Sequence, residues 1–157
     1  MNTTDIVIRS ATAADLDTIV AFNAAMALET EHKQLDPHVL QRGVGKAIAD
    51  PDRCAYFVAE IDGRVVGQTM VTYEWSDWRD GWFWWIQSVY VHPDYRRRGV
   101  FRALYQHVRA QARARPDVCG LRLYVEGQNH RAQQTYRQMG MAPSGHLVYE
   151  DDWSHHV

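Results

Sequence analysis

The residues best suited to hold an anion lie in one short loop. Arg96-Arg97-Arg98-Gly99 follows an apolar run, Ser88-Val89-Tyr90-Val91, and a turn marked by His92-Pro93-Asp94. After Gly99 the apolar residues Val100, Leu104 and Val108 recur at the helical period, so a helix starts there. The first N–H groups of that helix have no partners inside it and sit at the positive end of its dipole. A glycine just before them lets a ligand approach the backbone closely, and phosphate is the usual occupant of such a site. The chain has no Gly-x-x-x-x-Gly-Lys-Ser/Thr, and the loop has one glycine where a dinucleotide fingerprint needs three. Taken alone, the stretch reads equally as an ordinary strand–helix connection with solvated arginines.

The elements around the loop follow from periodicity and punctuation. Ile6-Val7-Ile8-Arg9 is a short first strand. Thr12-Ala13-Ala14-Asp15 resembles a capping box with Asp for Glu, and it opens a helix with Leu16, Ile19, Val20, Ala24 and Ala27 on its apolar face. That helix is expected to reach about residue 28, before a polar link over residues 29–34. Asp36-Pro37 starts a second helix that ends near Asp50-Pro51. Strands over residues 54–61 and 65–73 flank the hairpin signal Asp62-Gly63. The link 74–81 leads into a strand over 82–91, whose run Trp82-Phe83-Trp84-Trp85-Ile86 is apolar on both faces, as a covered central strand is. A helix over 100–115, a strand over 118–125, a helix capped by Asn129 and stopped by Gly140, and a final strand over 145–150 complete the order. This is one mixed α/β domain over residues 1–157, with a central sheet covered by helices.

The bulk numbers narrow the class. Hydrophobic residues make up 46% and charged residues 23%, the balance of a soluble globular protein, with no apolar run of membrane-spanning length. The first residues, Met1-Asn2-Thr3-Thr4-Asp5, lack the basic and apolar regions of a signal peptide, so a cytoplasmic location is expected. Cys54 and Cys119 lie in apolar strand-like runs and read as reduced core residues. The eight histidines make no metal spacing, and His155-His156 reads as a mobile tail. Seven arginines and no acid fall between Arg96 and Arg115, in a chain whose net charge is −2. A basic segment on an acidic protein suits one local anionic ligand better than a nucleic-acid footprint.

That order of elements, with these residues, resembles the GNAT superfamily of acyl-CoA-dependent N-acetyltransferases over essentially the whole chain. Arg96-Arg97-Arg98-Gly99-Val100-Phe101 matches the family's Gln/Arg-x-x-Gly-x-Gly/Ala loop, except that Phe101 stands where a small residue is usual. Asn129 through Gly140 matches the family's Asn-x-x-Ala-x-x-x-Tyr…Gly segment, including the spacing from Asn129 to Tyr136. The resemblance implies a mostly antiparallel sheet with splayed central strands and helices on both faces. It implies acetyl-CoA as cosubstrate, with no metal.

The resemblance also distributes roles. Backbone groups of Val89, Tyr90 and Val91 are expected to pair with pantetheine amides, one N–H (Val89) facing the thioester oxygen. Residues Arg96, Arg97, Arg98, Gly99, Val100, Phe101 and Arg102 are expected to wrap the diphosphate, and Asn129 and Ala132 to meet the cofactor. Tyr136 is the expected general acid, since a phenol near pKa 10 suits a departing thiolate; a half-buried helix tyrosine is the alternative. The central strand offers no carboxylate base, and Glu74, Asp77, His92 and Glu126 stay open candidates beside a water chain. Acceptor selectivity is expected from the two polar links, which carry Glu29, Glu31, Glu74, Trp75 and Asp77. Acids with aromatic rings suit a small cationic amine. A protein or peptide acceptor and a non-catalytic CoA-binding module are the alternatives. No nucleic-acid or membrane partner is expected, and a homodimer is compatible with the exposed-looking tryptophans.

Overall fold

The computed structural model describes residues 5–154, so His155-His156 lies outside the described residues. The chain forms a five-stranded sheet in sequence order. Strand β1 is Val7–Ser10, β2 Ala55–Ile61, β3 Arg64–Ser76, β4 Gly81–Val91 and β5 Val118–Leu123. Helices α1 (Leu16–Glu31) and α2 (Pro37–Ala49) precede β2, α3 (Val100–Arg113) joins β4 to β5, and α4 (His130–Gln138) follows β5. The first four strands pair antiparallel, and β5 lies parallel to β4. The parallel pair needs a crossover, and α3 supplies it.

Two apolar layers hold this together. On one face Ile19 of α1 and Val44 and Ala47 of α2 pack against Tyr56 and Val58 of β2. On the other, Val100, Leu104, Val108 and Ala112 line one side of α3 against Phe57, Ala59, Val71, Trp84 and Ile86. The helical period of those α3 residues and the alternation of Tyr56 and Val58 against Phe57 and Ala59 explain why each element buries the face it does. At the far rim of the first layer, Arg9 clamps the Asp15 carboxylate with two bonds of 2.8 and 2.9 Å and also binds Glu60. Asp15 additionally accepts the Thr12 N–H at 2.7 Å, the reciprocal half of the expected capping box.

Two boundaries, one cysteine and one expected strand differ from the sequence reading. Helix α1 runs on to Glu31 and stops where His32 takes a left-handed conformation, so Glu29 and Glu31 sit in its last turn, not in a link. Strand β3 continues to Ser76, because Glu74 and Trp75 find cross-strand partners in Phe83 and Trp82. Cys119 is exposed on β5 and not in the core; both cysteines are free. Residues 145–150 form no strand: Leu147, Val148 and Tyr149 are exposed, with no sheet partner among the described residues. Among the described residues, no helix is long and apolar enough to cross a membrane.

Candidate active site

The sheet opens at one place. β4 pairs with β5 only as far as Ile86 opposite Leu123, yet β4 itself runs on to Val91. From Gln87 to Val91 the β5-facing edge of β4 therefore carries no strand, and its backbone groups face a cleft. The cleft begins at a bulge. Gln68 opposes Tyr90 and Met70 opposes Gln87, so Thr69 faces both Ser88 and Val89, and Ser88 is forced into a left-handed φ of 53°. Two side chains of β3 pin this shape: Gln68 Nε2 donates to the Ser88 carbonyl at 3.0 Å, and Thr69 Oγ1 donates to the Gln87 carbonyl at 3.1 Å. Gln68 is fully buried, and its Oε1 has no hydrogen-bond partner among the described residues. Neither residue was singled out from the sequence. The available signal was two adjacent polar residues inside the apolar run Val65-Val66-Gly67-Gln68-Thr69-Met70-Val71.

The arginine loop closes the mouth of the cleft. Arg97 and Gly99 both have positive φ, 65° and 80°, and Gly99 caps α3, whose first internal bond is Ala103 N–H to the Gly99 carbonyl at 3.0 Å. The N–H groups of Val100, Phe101 and Arg102 are thus left for a ligand. A Cβ on Gly99 would meet nothing within 4 Å, so the space beside the loop is open. The helix start is drawn onto the sheet by Gly67, where a Cβ would come within 2.9 Å of Val100 Cγ1 and 3.2 Å of the Tyr90 carbonyl. Open edge, turned-out amides and basic side chains fit the pantetheine and diphosphate of coenzyme A.

The arginines divide their work. Arg96 faces inward: its Nε donates to the Val91 carbonyl at 2.9 Å, one NH2 group meets Glu29 at 3.0 Å, and its guanidinium lies over the Tyr90 ring. Arg98 stacks on Tyr95. Arg97 and Arg102 are exposed and have no acidic partner among the described residues, which leaves them as the cations available to an anion.

Tyr136 comes from α4, half-buried, with Phe101 edge-on to its ring at 5.8 Å. Phe101 also touches Tyr105, so the bulky residue turns away from the loop amides and into the packing beneath Tyr136. Burial raises the Tyr136 pKa, and its hydroxyl has no hydrogen-bond partner among the described residues. Asn129 Oδ1 accepts the Ala132 N–H at 3.1 Å and caps α4, and the helix ends as Met141 N–H reaches back to the Tyr136 carbonyl at 3.0 Å. Cap and stop place Tyr136 in the last turn of a short helix beside the start of α3.

The acceptor-side residues are scattered and largely committed. Glu29 Oε2 accepts the Tyr90 hydroxyl at 2.6 Å while Arg96 holds the other oxygen; the bond from Tyr90, then Arg96, keeps its pKa below the usual carboxylate value. Glu74 Oε1 accepts from Trp85 Nε1 at 3.0 Å and from Arg122 at 2.9 Å. It is registered with Phe83, ~20 Å along β4 from Val89. Glu31 pairs loosely with Lys33 at 3.4 Å. Trp75 packs on Trp82, on the face that Tyr73 and Trp84 share with α3, and Asp77 is exposed in the β3–β4 turn. Of the open candidates for a base, His92 accepts the Asp94 N–H through Nδ1 and so caps the turn after β4. The Glu126 side chain is exposed. Among the described residues no group of three or more His, Cys, Asp or Glu converges as a metal site.

Comparison with known proteins agrees with this geometry. Residues 20–141 match the family model of the acetyltransferase (GNAT) family. A possible acetyltransferase from Clostridium difficile 630 is 44% identical and superposes with a TM-score of 0.89, the match covering 96% of this chain and 99% of that one. Two more distant structures share the fold. The ribosomal-protein-alanine N-acetyltransferase of Brucella melitensis biovar Abortus 2308 is 17% identical, with a TM-score of 0.77 over 96% of this chain and 100% of that one. The aminoglycoside N-acetyltransferase AAC(6')-Iy, in complex with CoA, is 15% identical, with a TM-score of 0.76 over 98% of each chain. No curated protein matches the sequence. With most of its length matched by one family model and a 44% identical structure covering nearly all of it, the chain belongs to the GNAT family of acetyltransferases.

Proposed function

We infer that the protein transfers an acetyl group from acetyl-CoA to the primary amine of a small acceptor, by direct attack and with Tyr136 as general acid. The observation that carries this reading is the open edge of β4 from Gln87 to Val91, leading into the arginine loop, whose Phe101 packs against Tyr136. Acetyl-CoA supplies an activated acyl group and a thiolate leaving group. The chain's own groups do the rest. The Val89 N–H, turned by the bulge, donates to an oxygen on which negative charge grows. Arg97 and Arg102, with the first amides of α3, fix the diphosphate end. Tyr136 holds a proton that its raised pKa retains at neutral pH, and it gives that proton to the departing sulfur. The amine must lose a proton; Glu74 is bound to Arg122 and His92 caps the turn after β4, so the proton passes to water leading to bulk, with Asp77 and Glu126 as the alternatives.

The same pairing bears on acceptor charge. Glu29 and Glu74 are neutralised by Arg96 and Arg122, so attraction for a cationic amine falls to Asp77 and to Glu31, which Lys33 holds only loosely. The test is thiol release from acetyl-CoA against polyamines, amino acids, aminoglycosides and peptides. Turnover with a small amine supports the reading. Turnover with peptides alone moves the activity to a protein N-terminus, and binding without turnover makes the protein a CoA-binding module.

A further inference from the structure

One face of the sheet is only partly covered. Helices α1 and α2 pack over Tyr56, Val58 and Met70, and none of Phe83, Trp85 and Tyr124 belongs to that layer. Met70 opposes Gln87, while Thr72 and Glu74 oppose Trp85 and Phe83, so these side chains share the face of the two helices. Arg122 opposes Trp85 on the same face, and Tyr124 is two residues further along the chain. The intervening Trp84 and Ile86 point the other way, into the α3 layer.

The uncovered part is a plate held by its own side chains. Glu74 Oε1 accepts from the Trp85 indole N–H and from Arg122 together, which fixes the Trp85 ring. The Arg122 guanidinium lies 3.7 Å from the centre of the Phe83 ring, and Gln87 donates to Thr72 Oγ1. Trp85 and Tyr124 meet with ring centroids 4.6 Å apart, and Tyr124 is 59% exposed. Glu74 and Arg122 balance each other, so the plate offers aromatic faces rather than charge. Position joins it to the cleft. Leu123 opposes Ile86, three residues and ~10 Å from Val89, and Tyr124 is one residue nearer. The arginine loop and Tyr136 reach the open β4 edge from the α3 side, since Val100 and Phe101 pack in that layer and Phe101 meets Tyr136. The opposite face, which carries the plate, is the one left to a nucleophile.

We propose that the acceptor is a primary amine carrying an aromatic ring, which lies on Trp85 and Tyr124 while a short aminoalkyl arm reaches the acetyl group at Val89. This rests on the transferase reading above and names the acceptor class of that site. The amine nitrogen bonds the acetyl carbon and the carbon–sulfur bond breaks. Tyr136 protonates the sulfur, and water takes the proton that the nitrogen gives up. Stacking on an indole already fixed by Glu74 selects for a ring with little further ordering of the protein.

The first measurement is kcat/KM, with acetyl-CoA, for phenethylamine, cyclohexylethylamine and hexylamine, with spermidine as a ring-free polyamine. Phenethylamine should lead each of the others by about fivefold or more. Equal or faster turnover of the saturated ring or of the polyamine overturns the proposal. Tyr124→Leu changes an exposed side chain, and it should abolish the advantage of phenethylamine over hexylamine. Tyr124→Phe should keep that advantage, because it keeps the ring. An advantage that survives Tyr124→Leu would show that the acceptor does not rest there; unchanged acetyl-CoA affinity serves as the check that the variant is folded. Titration calorimetry of phenethylamine into the protein–CoA complex reads binding apart from transfer. Binding that Tyr124→Leu removes, with no turnover of any amine, would leave the ring site standing and end the transferase reading. Turnover indifferent to the ring would end the ring site and keep the transferase. Neither binding nor turnover would overturn both.

Discussion

The two walls of the cleft are made of different material. The donor wall, from Gln87 through Arg102, presents backbone: a strand edge left open, a bulge at Ser88, and the amides before Ala103. The residues proposed for the acceptor side act through side chains, and two of their acids, Glu29 and Glu74, are already paired with arginines distant in sequence. Glu29 meets Arg96 across 67 residues and Glu74 meets Arg122 across 48. A backbone site depends on chain conformation, which glycine and turn residues mark locally. A side-chain site depends on which partners the fold brings together, and no local pattern records that.

The sharpest way to break this contrast is at Tyr136. Tyr136→Phe should lower kcat by ~10²-fold or more, as loss of a general acid does, while acetyl-CoA affinity stays nearly unchanged. Because burial raises the Tyr136 pKa, an alkaline limb of kcat due to this phenol is expected above the ordinary phenol range. A limb near neutrality would point to another group.

Next in size is the support under the bulge. Gln68→Leu removes the bond to the Ser88 carbonyl and frees the shape that aims Val89. We expect a fall in kcat of ~10-fold or more, read by steady-state kinetics, with a smaller change in acetyl-CoA binding. Unchanged kcat would mean that Thr69 alone holds the bulge.

The phosphate end should respond through affinity. Arg97→Ala with Arg102→Ala is expected to weaken acetyl-CoA binding by ~10-fold and to reduce its dependence on salt, measured by titration calorimetry at two ionic strengths. Arg96→Ala, by contrast, should act through Glu29 and the Val91 carbonyl and leave the salt dependence intact.

The smallest effect is expected at Glu29. Its folded pKa lies below its ordinary value of 4.5, so its contribution to stability is present above that value and is lost as pH falls through the folded pKa. Glu29→Gln should therefore lower thermal stability slightly at pH 7, make no difference well below pH 4.5, and so flatten part of the acid limb. If instead it abolishes turnover with every amine at neutral pH, Glu29 contacts the acceptor and the two walls are less distinct than the contacts indicate.

What could be read from the sequence follows the same division. The order of elements as far as α4, the start of α3 at Val100, the cap at Asn129 and the stop at Gly140 were legible because each is marked by residues next to it. The ends of α1 and β3 were not. Glu29 and Glu31 are ordinary helix formers with nothing local to stop them before His32. Glu74 and Trp75 continue β3 because Trp82, Trp85 and Arg122 wait across the sheet. The bulge was hidden for the same reason, since Gln68 and Thr69 act on carbonyls about 20 residues away. Residues 145–150 have the composition of a strand, yet no edge within the described chain receives them; composition alone does not name the partner.

The central claim is that the open edge of β4 and the arginine loop hold acetyl-CoA for transfer to an amine. It is tested most directly by mixing the purified protein with acetyl-CoA and an amine panel and following thiol release. The account predicts saturable release that depends on both substrates and is lost in Tyr136→Phe while that variant still binds acetyl-CoA. A protein that neither binds acetyl-CoA nor gains thermal stability from it would contradict the account.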